Sequence, residues 1–193
     1  MHKLTFVLGL APLLAVAPAF AQASDSDTGE VSIDGRVASL CILGDASQAV
    51  VDLGQLIETS GSRVGRIDTI GARSVTLPDS FCNFAGSTLS VEATALVEDS
   101  AAVAATPSGF SRAVNFEASA SVWGSGSADA ATAAGADGTG PTSNGVSAVE
   151  PTPRITDIVV DLDGWSVPGD ALLIAGSYSG LVRITLGPAA VTQ

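Results

Sequence analysis

The stretch LSVEATALV, residues 89–97, sets Leu89, Val91, Ala93, Ala95 and Val97 against Ser90, Glu92 and Thr94. Successive side chains of an extended backbone point to opposite faces, so this alternation predicts a strand with one face buried and one in water. The same period recurs on both sides of it. RAVNFEASASVW (112–123) alternates Val114, Phe116, Ala118, Ala120 and Val122 with Asn115, Glu117, Ser119 and Ser121. ARSVTLPDSFCNF (72–84) turns Val75 and Leu77 inward up to Pro78, which withdraws a ladder donor and is expected to end the strand. AVVDLGQL (49–56) places Val51 and Leu53 on one face, and RITDIVVDLDGWSV (154–167) does so with Ile158, Val160 and Leu162. Near the end, DALLIAGSYSGLVRITLG (170–187) aligns Tyr178, Gly180, Val182, Ile184 and Leu186. Turn-rich pieces such as TSGSRVGRID (59–68) separate the segments, and none carries a helical stripe. The fold class expected is all-β, a sandwich or barrel.

Two stretches decide how that fold is bounded. EVSIDGRVASLC (30–41) puts Val31, Ile33, Gly35, Val37 and Cys41 on one parity and Ser32, Asp34 and Arg36 on the other, which predicts a strand ending at a cysteine. GSGSADAATAAGADGTGPTSNG (124–145) is nearly free of large apolar groups. Such residues bury too little surface to offset ordering entropy, so a mobile low-complexity loop is expected, with at most a short hairpin inside it. As a linker it would leave fewer than fifty residues for a second core, so a single domain is favoured.

The chain opens MHKLTFVLGLAPLLAVAPAFAQA, a short basic start, an apolar run and the small-x-small triplet at 19–21. That is the layout of a signal peptide over residues 1–21, interrupted by Pro12 and Pro18 and short for a membrane span. Export to the periplasm or cell surface is the expected localisation. His2 and Lys3, the sole histidine and lysine, leave with that segment. What remains has 7 arginines against 20 acids, a formal charge of −13. Nucleic acid and anionic membranes are therefore poor partners, for lack of counter-charge.

Cys41 and Cys82 are the two cysteines, and in an oxidising compartment two thiols are expected to join as one bridge. Two free buried thiols or a metal pair are the competing readings; no histidine remains to complete a metal site, and there is no Cys-x-x-Cys spacing. No metal or other cofactor is expected. The same losses remove Ser-His-Asp, Cys-His and Ser-Lys chemistry. Glu98 with Asp99, or Asp161 with Asp163, are the carboxylate pairs a hydrolase would need, and each reads more simply as a solvated face. DLDGWSVPGD (161–170) has an Asp-x-Asp-Gly start but lacks the later ligands of a calcium loop, so a turn is expected. Trp123 and Trp165 are the candidates for a glycan platform, against a structural role at the rim of the core. No enzymatic activity is expected.

Taken in order, EVSIDGRVASLCIL, AVVDLGQL and SVTLPDSFCNFAGSTLSVEATAL resemble the front half of fimbrial subunits assembled by the chaperone-usher route, nearest the spore coat protein U-like branch. Ile33 to Gly35, Cys41, Leu53-Gly54 and Cys82 match its apolar-x-Gly strand, first cysteine, Leu-Gly pair and second cysteine, and AGSYSGLVRITLG is similar to its closing strand. ASVWGSGSADA resembles the Trp-Gly loop of coat U-like members.

The resemblance implies an immunoglobulin-like, pilin-type antiparallel β-sandwich over residues 35–193, incomplete and finished by donor-strand addition. It implies a disulfide tying the first strand to the end of a later one, and a groove beside the closing strand lined by Val182, Ile184 and Leu186. An N-terminal extension at 22–34 would carry the donor strand, with Val31 and Ile33 as its plugs. The expected partners are a periplasmic chaperone, an outer-membrane usher and neighbouring subunits, in a surface fibre. Two features depart from that pattern: QASDSDTG (22–29) is polar, with Asp25 and Asp27, and the closing PAAVTQ lacks an aromatic residue. The alternative is a self-contained exported sandwich that binds a ligand such as a glycan.

Overall fold

The computed structural model describes residues 28–99, 105–121, 123–124 and 126–189. The signal-peptide segment, residues 22–27 of the extension and the last four residues lie outside them. The chain divides into two units, residues 1–36 and 37–193.

In the described part of the first unit there is no strand, and Val31 and Ile33 are 86% and 92% exposed. The strand expected over 30–41 is thus reduced to its last residue. The alternation is real, but backbone becomes a strand only where it finds a partner edge. In this chain pairing begins at Cys41.

The second unit is all-β. In chain order its strands are β1 (Cys41–Ile42), β2 (Arg73–Cys82), β3 (Ser87–Glu98), β4 (Phe110–Ser111), β5 (Ala113–Ser121), β6 (Ala128–Ala131), β7 (Ser143–Val146), β8 (Arg154–Ser166), β9 (Leu172–Leu173) and β10 (Tyr178–Pro188). The described residues include no α-helix, only two 3-10 turns, Gly61–Arg63 and Pro168–Asp170. Antiparallel pairing runs β1-β2-β8-β5-β3-β10, a nearly closed array, with a small parallel β4–β9 pair apart from it. β5 is the corner. It pairs with β8 along one edge, and Ala113 and Val114 pair with Val97 and Leu96 of β3 on the other.

The inward sets read from the alternation form the core. Leu89, Val91 and Ala93 of β3 meet Phe116, Ala118 and Ala120 of β5 and Ile158, Val160 and Leu162 of β8, all buried. Burying each of the branched or aromatic side chains among them contributes roughly 1.5–3 kcal/mol.

Irregularities shift the expected boundaries. Pro78 does not end β2; it sits in a bulge between Leu77 and Ser80, where Asp79 takes a positive φ of 51° and its N–H is held by the Asp157 carboxylate at 2.9 Å. A bulge is where a sheet tolerates a missing donor. A second irregularity sets Ala95 and Leu96 of β3 against Gly180 of β10, and it reverses the parity, so that Glu98 rather than Val97 is buried. The turn expected over 161–170 is strand as far as Ser166 and turns only at Pro168–Asp170.

The largest correction concerns residues 124–145. β6 and all but the last residue of β7 lie within them, and they pair not with each other but with β5 and β3 respectively. Ala128, Ala130 and Ala134 are buried, and a Cβ on Gly145 would overlap the backbone of Asp129. Small residues here permit backbone to pack on backbone, which a count of apolar bulk does not register.

Candidate functional site: a groove beside the last strand

β3 covers one edge of β10 from Tyr178 to Pro188, and no strand among the described residues covers the other. The opposite border is equally unfinished. β1 pairs with β2 only at Cys41–Cys82 and Ile42–Phe81; beyond that, residues 43–53 follow β2 with little ladder, held by Ser47 N–H to the Thr76 carbonyl at 2.8 Å and Thr76 N–H to Ser47 Oγ at 3.0 Å. β5 therefore closes the two layers on one side, and on the other they part.

The gap is an open groove of about 480 Å³. Leu43, Val51 and Leu53 line one wall and Val182 and Ile184 of β10 the other. Its floor is Leu77, Val160, Phe116 and Trp165, the last two stacked with ring centroids 5.2 Å apart. Leu186 packs on the core rather than into the groove lining. The floor was readable only in part, since alternation marks Phe116 and Val160 as inward and says nothing of whether anything covers them.

One end of the groove is built by Tyr178. Its hydroxyl donates to the Ile174 carbonyl at 2.7 Å, fixing the turn before β10 to the strand itself. Burial, and after it the charge of Glu98, push the Tyr178 hydroxyl up to about 12, so it stays a neutral donor. Glu98, buried beneath, is paired with Arg112 at 3.0 Å. Trp165 Nε1 is buried without a hydrogen-bond partner among the described residues.

Cys41 and Cys82 are joined by a disulfide, with Cα atoms 4.1 Å apart. Trp123 is no platform: it is fully buried, and its Nε1 donates to Ser87 Oγ at 3.2 Å. Trp165 is half-buried in the groove floor rather than displayed on a loop.

The carboxylate pairs fall apart as pairs. Glu98 is committed to Arg112, while Asp99 is exposed and accepts from Ser179 Oγ at 2.7 Å. Asp161 and Asp163 are exposed, across from Ser119 and Glu117 on β5. Among the described residues, no cluster of three or more His, Cys, Asp or Glu is placed to hold a metal, and no helix is long and apolar enough to cross a membrane.

Comparison with family models, with curated proteins and with solved structures gives no match.

Proposed function

We propose that the chain is a non-enzymatic structural subunit of a surface fibre, completed by a strand added in the groove beside β10. The observation that carries this reading is the unpaired β10 edge bordering an apolar groove, in a chain that also holds an unpaired alternating segment, Val31, Ile33, Gly35 and Val37. Exposed apolar edges invite pairing with another chain, and an extended peptide fits one by main-chain hydrogen bonds with alternate side chains in the groove.

The ladder order favours an immunoglobulin-like sandwich short of one strand. β1 with residues 43–53, β2, β8 and β5 correspond to strands A, B, E and D, and β3 and β10 to C and F, with no strand G among the described residues. The Tyr178 hydroxyl bonded four residues back matches the tyrosine corner found at the start of strand F in such domains. On this reading a periplasmic chaperone holds the groove in transit, an usher exchanges it, and residues 30–37 of a neighbouring subunit fill it. Seating Val31, Ile33 and Val37 removes three branched side chains from water, roughly 1.5–3 kcal/mol each before the costs of association.

A fluorescent peptide of residues 30–37 tests it. The purified chain is expected to bind the peptide, melt at a higher temperature with it, and form fewer oligomers in its presence. Ile184→Asp places a charge in the groove wall and is expected to weaken capture at least ~100-fold. A monomer that ignores the peptide, or an Ile184→Asp chain that binds it equally well, overturns the reading. A small apolar molecule that saturates the groove and leaves the peptide unbound would point to ligand binding instead.

A further inference from the structure

The outer face of β3 carries the polar half of its alternation, Ser90, Glu92 and Thr94, and that face is not flat. On one edge the ladder with β7 stops at Ala93 and Ser143, and the ladder with β5 begins only at Leu96 and Val114, so Thr94 and Ala95 have no ladder partner between them. On the other edge the register of β10 slips at the same level, where a Cβ on Gly180 would lie 2.9 Å from the Thr94 carbonyl oxygen. Irregularities of this kind bend a strand and re-aim its side chains. The two coincide, and between them lies a hollow of about 350 Å³.

Three strands line it in register. Asn144, Glu92 and Arg183 are ladder partners across β7, β3 and β10, Leu181 stands opposite Thr94, and Thr142 lies just before β7. Directly opposed side chains share a face about 5 Å apart, so these groups converge. Arg183 Nη1 donates to Glu92 Oε2 at 2.9 Å, a single contact that leaves Glu92 Oε1 and the other guanidinium N–H groups for a ligand. Asn144 Nδ2 donates to the Thr142 carbonyl at 3.3 Å, which leaves the amide oxygen. The Thr94 hydroxyl is committed to the wall, accepting from the Leu181 N–H at 3.1 Å. Leu181 itself is 53% exposed, an apolar side chain at the rim.

Acceptors and donors therefore stand side by side, with an apolar group next to them. Each hydroxyl of a vicinal diol both donates and accepts, and matches that arrangement. A free anion would meet Glu92, in a chain with 20 acidic against 8 basic residues, and a free cation would meet Arg183. We propose that this hollow binds a neutral saccharide, with Glu92 and Arg183 taking adjacent hydroxyls, the Asn144 amide taking a third, and Leu181 against the C–H face of the ring. Glu92 and Arg183 lie on the face of β10 and β3 opposite to Val182 and Ile184, so the proposal holds whether or not a strand fills the groove. The Glu92 and Arg183 side chains are 41% and 64% exposed, and a pair so open to water adds little to the stability of the fold.

The test titrates the isotope-labelled chain with methyl α-mannopyranoside, methyl β-glucopyranoside and methyl β-galactopyranoside, and follows the backbone amide signals. At least one of these is expected to give saturable shifts at millimolar concentration, centred on residues 92–94, 142–144 and 181–183, and to bind more tightly than glucuronate or glucosamine. Glu92→Gln keeps the size of the side chain and removes its charge, and Asn144→Ala removes the amide. Each is expected to weaken binding ~10-fold or more, with the melting temperature unchanged. The proposal is overturned if none of the three glycosides gives saturable shifts, if the shifts fall instead on the groove floor at Leu77, Phe116 and Trp165, if both variants bind as the wild type does, or if glucuronate or glucosamine binds most tightly. None of these results bears on strand addition, which is read by the peptide.

Discussion

Trp123 shows how a residue's meaning turns on what its polar atom touches. An indole at the end of an alternating strand and beside a glycine suits either a display loop or a core. Here the ring is enclosed and its N–H is matched to the buried Ser87 hydroxyl, so the side chain holds the layers together. Trp123→Ala is expected to cost about 3–5 kcal/mol in denaturant-monitored unfolding, from lost contacts and the cavity left behind. A variant that keeps wild-type stability and loses only binding to a partner would mean that the ring is displayed after all. Asn83 and Tyr178 make the same point with smaller means. Each holds backbone that no strand holds, one before the start of β1 and one before the start of β10.

At the scale of elements, β6 and β7 repay the closest reading. β6 widens the sheet beside β5 and β7 widens it beside β3, with the Ser143 hydroxyl donating to the Ala131 carbonyl between them. Because Gly145 lies directly on the backbone of Asp129, Gly145→Val has no space for its side chain and forces the two strands apart. The expected loss is about 1–3 kcal/mol, with amide exchange accelerated first in residues 128–146. Unchanged exchange there would show that the two strands do not depend on this contact. β10 presents the contrasting case of an element with an apolar face, a full ladder on one side and none on the other. Among the described residues, no strand pairs with that edge.

Across the whole molecule the carboxylates that the fold holds low set the response to pH. Glu150 is buried: burial alone would raise its carboxyl, but the bonds from Arg154, Thr152 and the Gly124 N–H outweigh it and hold it below the ordinary carboxylate range. Asp170, bonded by Arg63, and Asp129, bonded by Ser119 and Ser127, are held low as well. A carboxyl whose folded value lies below its unfolded one stabilises the fold above the unfolded value, about 4, and loses that contribution as pH falls through the folded value. Thermal stability is therefore expected to be level from neutral pH down to about 5 and to drop below about 4. Glu150→Gln is expected to melt lower than wild type at neutral pH, with the difference closing as the pH is taken below 4; a constant gap from pH 7 to pH 3 would show that this carboxyl is not held low in the fold.

The sequence by itself determined the all-β class and the inward faces of β3, β5 and β8, because period-two alternation acts locally on the chain. The tertiary structure alone decided which alternating segments acquire partners. Residues 30–40 have the pattern of a strand and form none, while residues 128–131 and 143–146 have almost none of the pattern and pair with β5 and β3. Pairing is a property of two stretches of backbone brought together, and close approach is set by the neighbour as much as by the residue. No reading of one stretch alone contains either.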